Sequence, residues 1–121
     1  MIVAIGGGEV SKNETYEIDK FIVESSEKEK PNFLFIPTAS RDAGSYVQTI
    51  NGLYESLGCR TDTLYLCKAD ADIDTVNEKI ERADIIYVGG GNTAYMMQVW
   101  EKYSVDKALL RAYKVAKRYL D

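Results

Sequence analysis

Short apolar runs alternate with amphipathic stretches of helical spacing along this whole chain. Met1 to Ile5, Phe33 to Pro37, Thr61 to Leu66 and Asp84 to Val88 read as strands. Phe33 to Pro37 is apolar throughout, as a strand covered on both faces must be. Between the runs, apolar residues recur three and four apart, the spacing of one helix face. A helix from about Tyr16 to Ser26 presents Ile18, Phe21, Ile22 and Ser25, and the Glu24 to Lys30 stretch and Pro31 end it. A second, Ser45 to Leu57, carries Val47, Ile50, Leu53, Tyr54 and Leu57 inward, with Gly58 placed to stop it. After the acidic turn Asp70 to Asp74, a short helix to Arg82 turns Ile73, Val76 and Ile80 inward. A helix around Thr93 to Lys102 follows the last strand. The final helix, from near Ser104, repeats Val105, Ala108, Leu109, Ala112, Val115, Ala116 and Tyr119. Strict alternation predicts an α/β fold: a three-layer, doubly wound parallel sheet of about four strands with helices on both faces. No linker or repeat divides the chain, so residues 1–121 read as a single α/β domain.

Two of the strands run into triple glycines, Gly6-Gly7-Gly8 and Gly89-Gly90-Gly91. Glycine admits the backbone close to a ligand and takes φ values that a Cβ forbids. After the second run, Asn92-Thr93 supplies a helix-cap side chain and leaves free N–H groups. Such a junction can hold a bound anion or an oxyanion formed during reaction. If both glycine loops serve one site, the first and fourth strands are neighbours at a topological switch point. With right-handed crossovers the expected strand order is 3-2-1-4.

The first glycine loop does not complete a dinucleotide fingerprint. Gly6 and Gly8 fit G-x-G, but Ser11 stands at the third glycine position, and strand two ends in Pro37-Thr38-Ala39-Ser40 rather than an acidic residue. Its alternatives are a tight turn or, through Gly7 and Gly8, one wall of a small-molecule pocket. Thr38, Ser40, Arg41 and Asp42 follow strand two on the edge where α/β sheets bind ligands. There Arg41 can pair with a carboxylate bidentately, or the segment is a solvated loop in which Asp42 caps the next helix. Ser40 and Ser45 have no evident base and do not qualify as activated nucleophiles. Tyr95, Met96, Met97 and Trp100 read as core or helix packing. Lys107, Arg111, Lys114, Lys117 and Arg118 read as a solvated basic face.

Net charge is −4, which argues against nucleic acid or an anionic membrane as the main partner. No apolar run approaches the ~20 residues of a membrane span, and the N-terminus does not read as a signal peptide. Cys59 and Cys67 flank a strand that would hold them beyond disulfide reach, so reduced thiols in a cytoplasmic protein are expected. The chain contains no histidine, and no metal or cofactor is implied.

Taken in order, the segments Ile2 to Glu9, Phe33 to Ser40, Tyr54 to Cys59 and Asp84 to Thr93 resemble the peptidase E-like serine peptidases. That family includes dipeptidase E, aspartyl dipeptidase and the cyanophycinase relatives. The resemblance runs to about Tyr113 and implies a flavodoxin-like fold of the class I glutamine amidotransferase type. It also implies that the Gly91 N–H forms part of an oxyanion hole shaped by Gly90 and Asn92, and that short Asp-containing peptides are cleaved through an acyl-enzyme. The family's nucleophile lies on a fifth strand, in a Gly-x-Ser-Ala-Gly turn. This chain reads instead Lys114-Val115-Ala116-Lys117-Arg118-Tyr119-Leu120-Asp121. The resemblance therefore covers the family's N-terminal half, and the helical tail suggests a shortened form. Without that serine or a histidine no catalytic residue is assigned, and the chain alone is expected to be inactive. The alternative is a non-catalytic module that binds a small ligand or anion through the same loops. The expected partners are a small peptide or other small molecule, with a homodimer through an exposed edge of strand four.

Overall fold

The computed structural model describes residues 2–5, 16–67 and 72–120. In chain order the elements are β1 (Ile2–Ile5), α1 (Tyr16–Ser25), β2 (Asn32–Ile36), α2 (Gly44–Ser56), β3 (Arg60–Thr63), α3 (Ile73–Arg82), β4 (Ile85–Val88), α4 (Thr93–Tyr103) and α5 (Val105–Leu120). One 3₁₀ turn, Thr38–Ser40, links β2 to α2. The four strands form one parallel sheet. One apolar layer joins α1 and α2 to Phe33, Phe35, Ile85 and Tyr87. The other joins α3, α4 and α5 to Leu34, Ile36, Ile86 and Val88. Alternate residues of β2 and β4 thus feed opposite layers, which is why both strands are apolar at every buried position.

The strand order is β3-β2-β4-β1, which corrects the expected 3-2-1-4. The first and fourth strands are neighbours, with Ile2 to Ile5 in register with Ile85 to Val88. It is β4, however, that lies between β1 and β2. Burial explains the exchange. All four residues of β4 are buried, whereas Val3 of β1 is 48% exposed. The strand that hides both faces takes the interior place. The crossover from β1 to β2 leaves one position open, and the chain returns to fill it. The segments from β1 to β2 to β3 advance in one direction with α1 and α2 on one face. The return from β3 to β4 carries α3 on the other, as uniform right-handed crossovers require. Because β4 is paired on both sides, it has no exposed edge for a partner. The outer strands are β1 and β3.

Three helices and one strand differ in detail. α1 is rotated from its expected face: Asp19 and Val23 are buried, while Ile18 and Phe21 are exposed. The cause is polar, because the buried Tyr54 hydroxyl donates to Asp19 Oδ1 at 2.6 Å and draws that side of the helix inward. Ile73 is likewise exposed, whereas Val76 and Ile80 pack inward. Asp72 begins α3 by accepting from the Thr75 N–H at 2.6 Å. In α4, Met96 and Trp100 enter the core and Met97 stays outside. Strand β3 is shorter than the apolar pattern suggested, although Leu64 and Leu66 beyond it remain buried. In α5, Val105 and Ala108 are buried, and the side chains of Val115, Ala116 and Tyr119 lie outside the described residues.

Candidate functional site

The turns that leave β2, β3 and β4 all lie at the carboxyl edge of the sheet, and hydrogen bonds lock them into one unit. After β2, the Pro37 carbonyl accepts from the N–H groups of Ser40 and Asp42, and Thr38 accepts from the Arg41 N–H. This winding forces Arg41 and Asp42 to φ values of 58° each, left-handed for two consecutive residues that are not glycine. Asp42 is fully buried and does not cap α2: the capping position belongs to Ala43, which makes no side-chain cap. Its carboxylate instead accepts from the Cys67 N–H at 2.7 Å, joining the turn after β2 to the segment after β3. Thr38, also fully buried, accepts from the Trp100 indole N–H at 3.0 Å and so joins the same turn to α4. Ser40 is spent locally, its hydroxyl donating to the Pro37 carbonyl at 3.0 Å.

The glycine turn after β4 presses directly on this unit. The Asn92 N–H donates to the Ala39 carbonyl at 2.8 Å. Gly91 has φ +146°, and a Cβ there would overlap the Ala39 carbonyl. Gly89 is enclosed by the rings of Phe35 and Tyr46. The amides of the loop can be accounted for one at a time. Gly89 donates to the Ile36 carbonyl at 3.1 Å, Gly90 to the Tyr46 hydroxyl at 3.3 Å, and Asn92 to Ala39. The Asn92 side chain caps α4 by accepting from the Tyr95 N–H at 3.0 Å. Among the described residues, the amide of Gly91 has no protein acceptor, and the residue is exposed. The turn therefore presents the Gly91 N–H at the start of a helix whose first amides, those of Thr93 and Ala94, also have no acceptor among the described residues, and there the backbone dipole favours negative charge.

Gly90, Gly91, Asn92, Thr38 and Ser40 are thus brought together, though Thr38 serves as a buried strut. Gly7 and Gly8 lie outside the described residues. Sequence reasoning missed Tyr46, which takes up the Gly90 amide, and the cluster of Cys67, Asp42 and Tyr95. In that cluster the Tyr95 hydroxyl donates to Cys67 Sγ at 3.4 Å. No periodicity encodes either contact, since each joins side chains from separate elements. Burial raises the Cys67 thiol above its ordinary range despite the Tyr95 hydrogen bond, so it stays protonated near neutral pH and is a poor attacking group. A cavity of about 430 Å³ lies elsewhere, lined among others by Asn32, Arg60, Asp62 and Lys79. Its charges are partly neutralised in place by Lys79–Asp62 and Arg82–Glu78 pairs.

Comparisons with known proteins agree with this architecture. The model of Peptidase family S51 matches residues 2–120. The chain is 36% identical over 114 residues to the uncharacterized peptidase YgaJ of Bacillus subtilis, covering 93% of this chain and 49% of that protein. It is 33% identical over 88 residues to the uncharacterized peptidase Lmo0363 of Listeria monocytogenes, covering 71% of this chain and 42% of the other. The chain spans about half the length of the curated relatives it matches. In fold it is similar to the crystal structure of a candidate peptidase E protein from Listeria monocytogenes EGD-e. That match has a TM-score of 0.71 and 23% identity, and covers 93% of this chain and 54% of that one.

Proposed function

Because the chain belongs to peptidase family S51, we propose that its glycine turn is the oxyanion-binding part of a serine-type dipeptidase site. In this reading Gly91 donates its N–H to the developing tetrahedral oxyanion, and Gly90 and Asn92 hold the turn in shape. The carrying observation is the amide account: within the glycine turn the donors of Gly89, Gly90 and Asn92 are committed and that of Gly91 is not. A fixed donor aimed at such an oxyanion typically contributes ~3 kcal/mol to transition-state stabilisation. The substrates are short Asp-containing peptides cleaved through an acyl-enzyme, and residues 1–121 correspond to the N-terminal portion of the domain. The attacking serine and its base are not supplied by this chain, which contains no histidine and whose Ser40 hydroxyl is bound to Pro37. By itself the chain binds peptide without turning it over. Asp-containing dipeptides assayed with it are expected to stay intact while shifting the Gly91 amide resonance. Hydrolysis abolished by one point substitution would overturn the inactivity, and an unmoved Gly91 resonance would overturn the site.

The spent Ser40 hydroxyl also favours a second reading, a small-anion-binding module that performs no chemistry. Thermal shifts with phosphate or nucleotides, and none with acidic dipeptides, would select it. We place the protein in the cytoplasm, a reading supported by its two free cysteines. Among the described residues no helix is long and apolar enough to cross a membrane.

A further inference from the structure

The guanidinium of Arg41 lies 4.0 Å from the centre of the Tyr95 ring. Its residue is exposed, and among the described residues it makes no ion pair. A cation with a flexible stem would normally wander, but this one is constrained at both ends. Its backbone is held left-handed by the turn whose next residue, Asp42, is buried and bound to Cys67. Its head sits over the ring of Tyr95, whose hydroxyl donates to the same Cys67 and whose backbone N–H donates to the Asn92 side chain. Arg41 stands two residues from Ala39, whose carbonyl touches Gly91 and accepts from Asn92. The open amide and the held cation therefore share one rim.

We propose that Arg41, steadied by Tyr95, recognises a carboxylate of the ligand whose carbonyl oxygen lies at the Gly91 amide. This inference rests on the reading of Gly91 given above. A guanidinium presents a fixed fork of donors that a carboxylate accepts two at a time, which a lone ammonium cannot match. Contact with the ring restrains the guanidinium before binding, so less rotamer freedom remains to be lost. In a short peptide the carboxylate has two sources, an acidic side chain or the free C-terminus.

Calorimetry on the 121-residue chain with Asp-Leu, Asn-Leu, Asp-Leu amide and Asn-Leu amide separates them, because each change removes one carboxylate at a time. One of the two removals is expected to weaken binding about tenfold, the scale of a charge-assisted hydrogen-bonded contact. In Arg41→Gln that ratio collapses towards one. Arg41→Lys keeps part of it, and Tyr95→Leu, which removes the ring, lowers it as well. Thermal melts confirm that each variant is folded, and Tyr95→Leu stands in if Arg41→Gln is not. A carboxylate preference that survives Arg41→Gln, or no preference in the unaltered chain, overturns the inference while the Gly91 resonance still responds to peptide. If no peptide moves that resonance, the Gly91 reading and this inference fall together.

Discussion

Gly91 is the residue whose replacement the structure forbids on two independent grounds. Its φ of +146° strains any side chain, and the Ala39 carbonyl occupies the space a Cβ would need. Gly91→Ala must therefore push the turn away from the Thr38–Ser40 segment and break the bond from Asn92 to Ala39. Chemical denaturation is expected to show a loss of about 2 kcal/mol or more. Gly52, on the exposed side of α2 with open space where its Cβ would go, is the control. Gly52→Ala should stabilise by roughly 0.5–1 kcal/mol, since only the unfolded chain loses freedom. Equal effects at the two positions would contradict the geometry. The need for glycine at this turn was readable from an apolar strand running straight into a triple glycine. Which amide stays open was not, because that depends on Tyr46 reaching Gly90 from another element.

At the scale of elements, α2 buried Val47, Ile50 and Tyr54 as its spacing predicted and α3 buried all of its expected residues but Ile73, whereas α1 turned Ile18 and Phe21 outward. Its strongest apolar residues face outward because Asp19 follows the Tyr54 hydroxyl into the core, a preference that hydrophobic spacing cannot express. Val23→Ala in α1 should cost roughly 1–3 kcal/mol, whereas Ile18→Lys should fall within about 0.5 kcal/mol of the parent. Comparing urea midpoints checks the rotation, and the reverse order would refute it. The same layer sets an alkaline limit. Burial pushes the Cys59 thiol up to about 11 from 9.0. It also raises Tyr87, and raises Tyr54 with help from the Asp19 carboxylate. Each folded-state value lies above its unfolded one, so this stabilisation is complete below the unfolded value and is lost as pH climbs through the folded one. For the thiol the window is pH 9 to about 11, and roughly 2–3 kcal/mol is at stake. Urea melts at about pH 8 and about pH 10.5 should show that loss, with Cys59→Ala removing the thiol's share. A flat profile across the window would contradict it.

For the whole molecule, alternation of strand and helix was enough to give three layers and a parallel sheet, and the assumption that the two glycine runs serve one site led to the β1–β4 adjacency found in the sheet. The interior place of β4 required knowing which strand is covered on both faces, and local pattern does not distinguish β1 from β4. That exchange moves the question of assembly from β4 to the two outer strands. β3 carries Arg60 and Asp62, charges that oppose pairing with another sheet edge. β1 is Ile-Val-Ala-Ile, with Val3 exposed, and the crossover after it exposes Ile18 and Phe21 at 61% and 68%. An apolar strand without a described outer neighbour, next in sequence to an apolar helix face, favours pairing with a second copy about a two-fold axis. Light scattering over a concentration series should therefore report a homodimer, and charged substitution at Val3 and Phe21 should convert it to monomer. The same substitutions at Thr61 and Thr63 of β3 should leave it dimeric. A parent chain that stays monomeric at high concentration would show instead that the β1 edge is not self-complementary, whatever its apolar character.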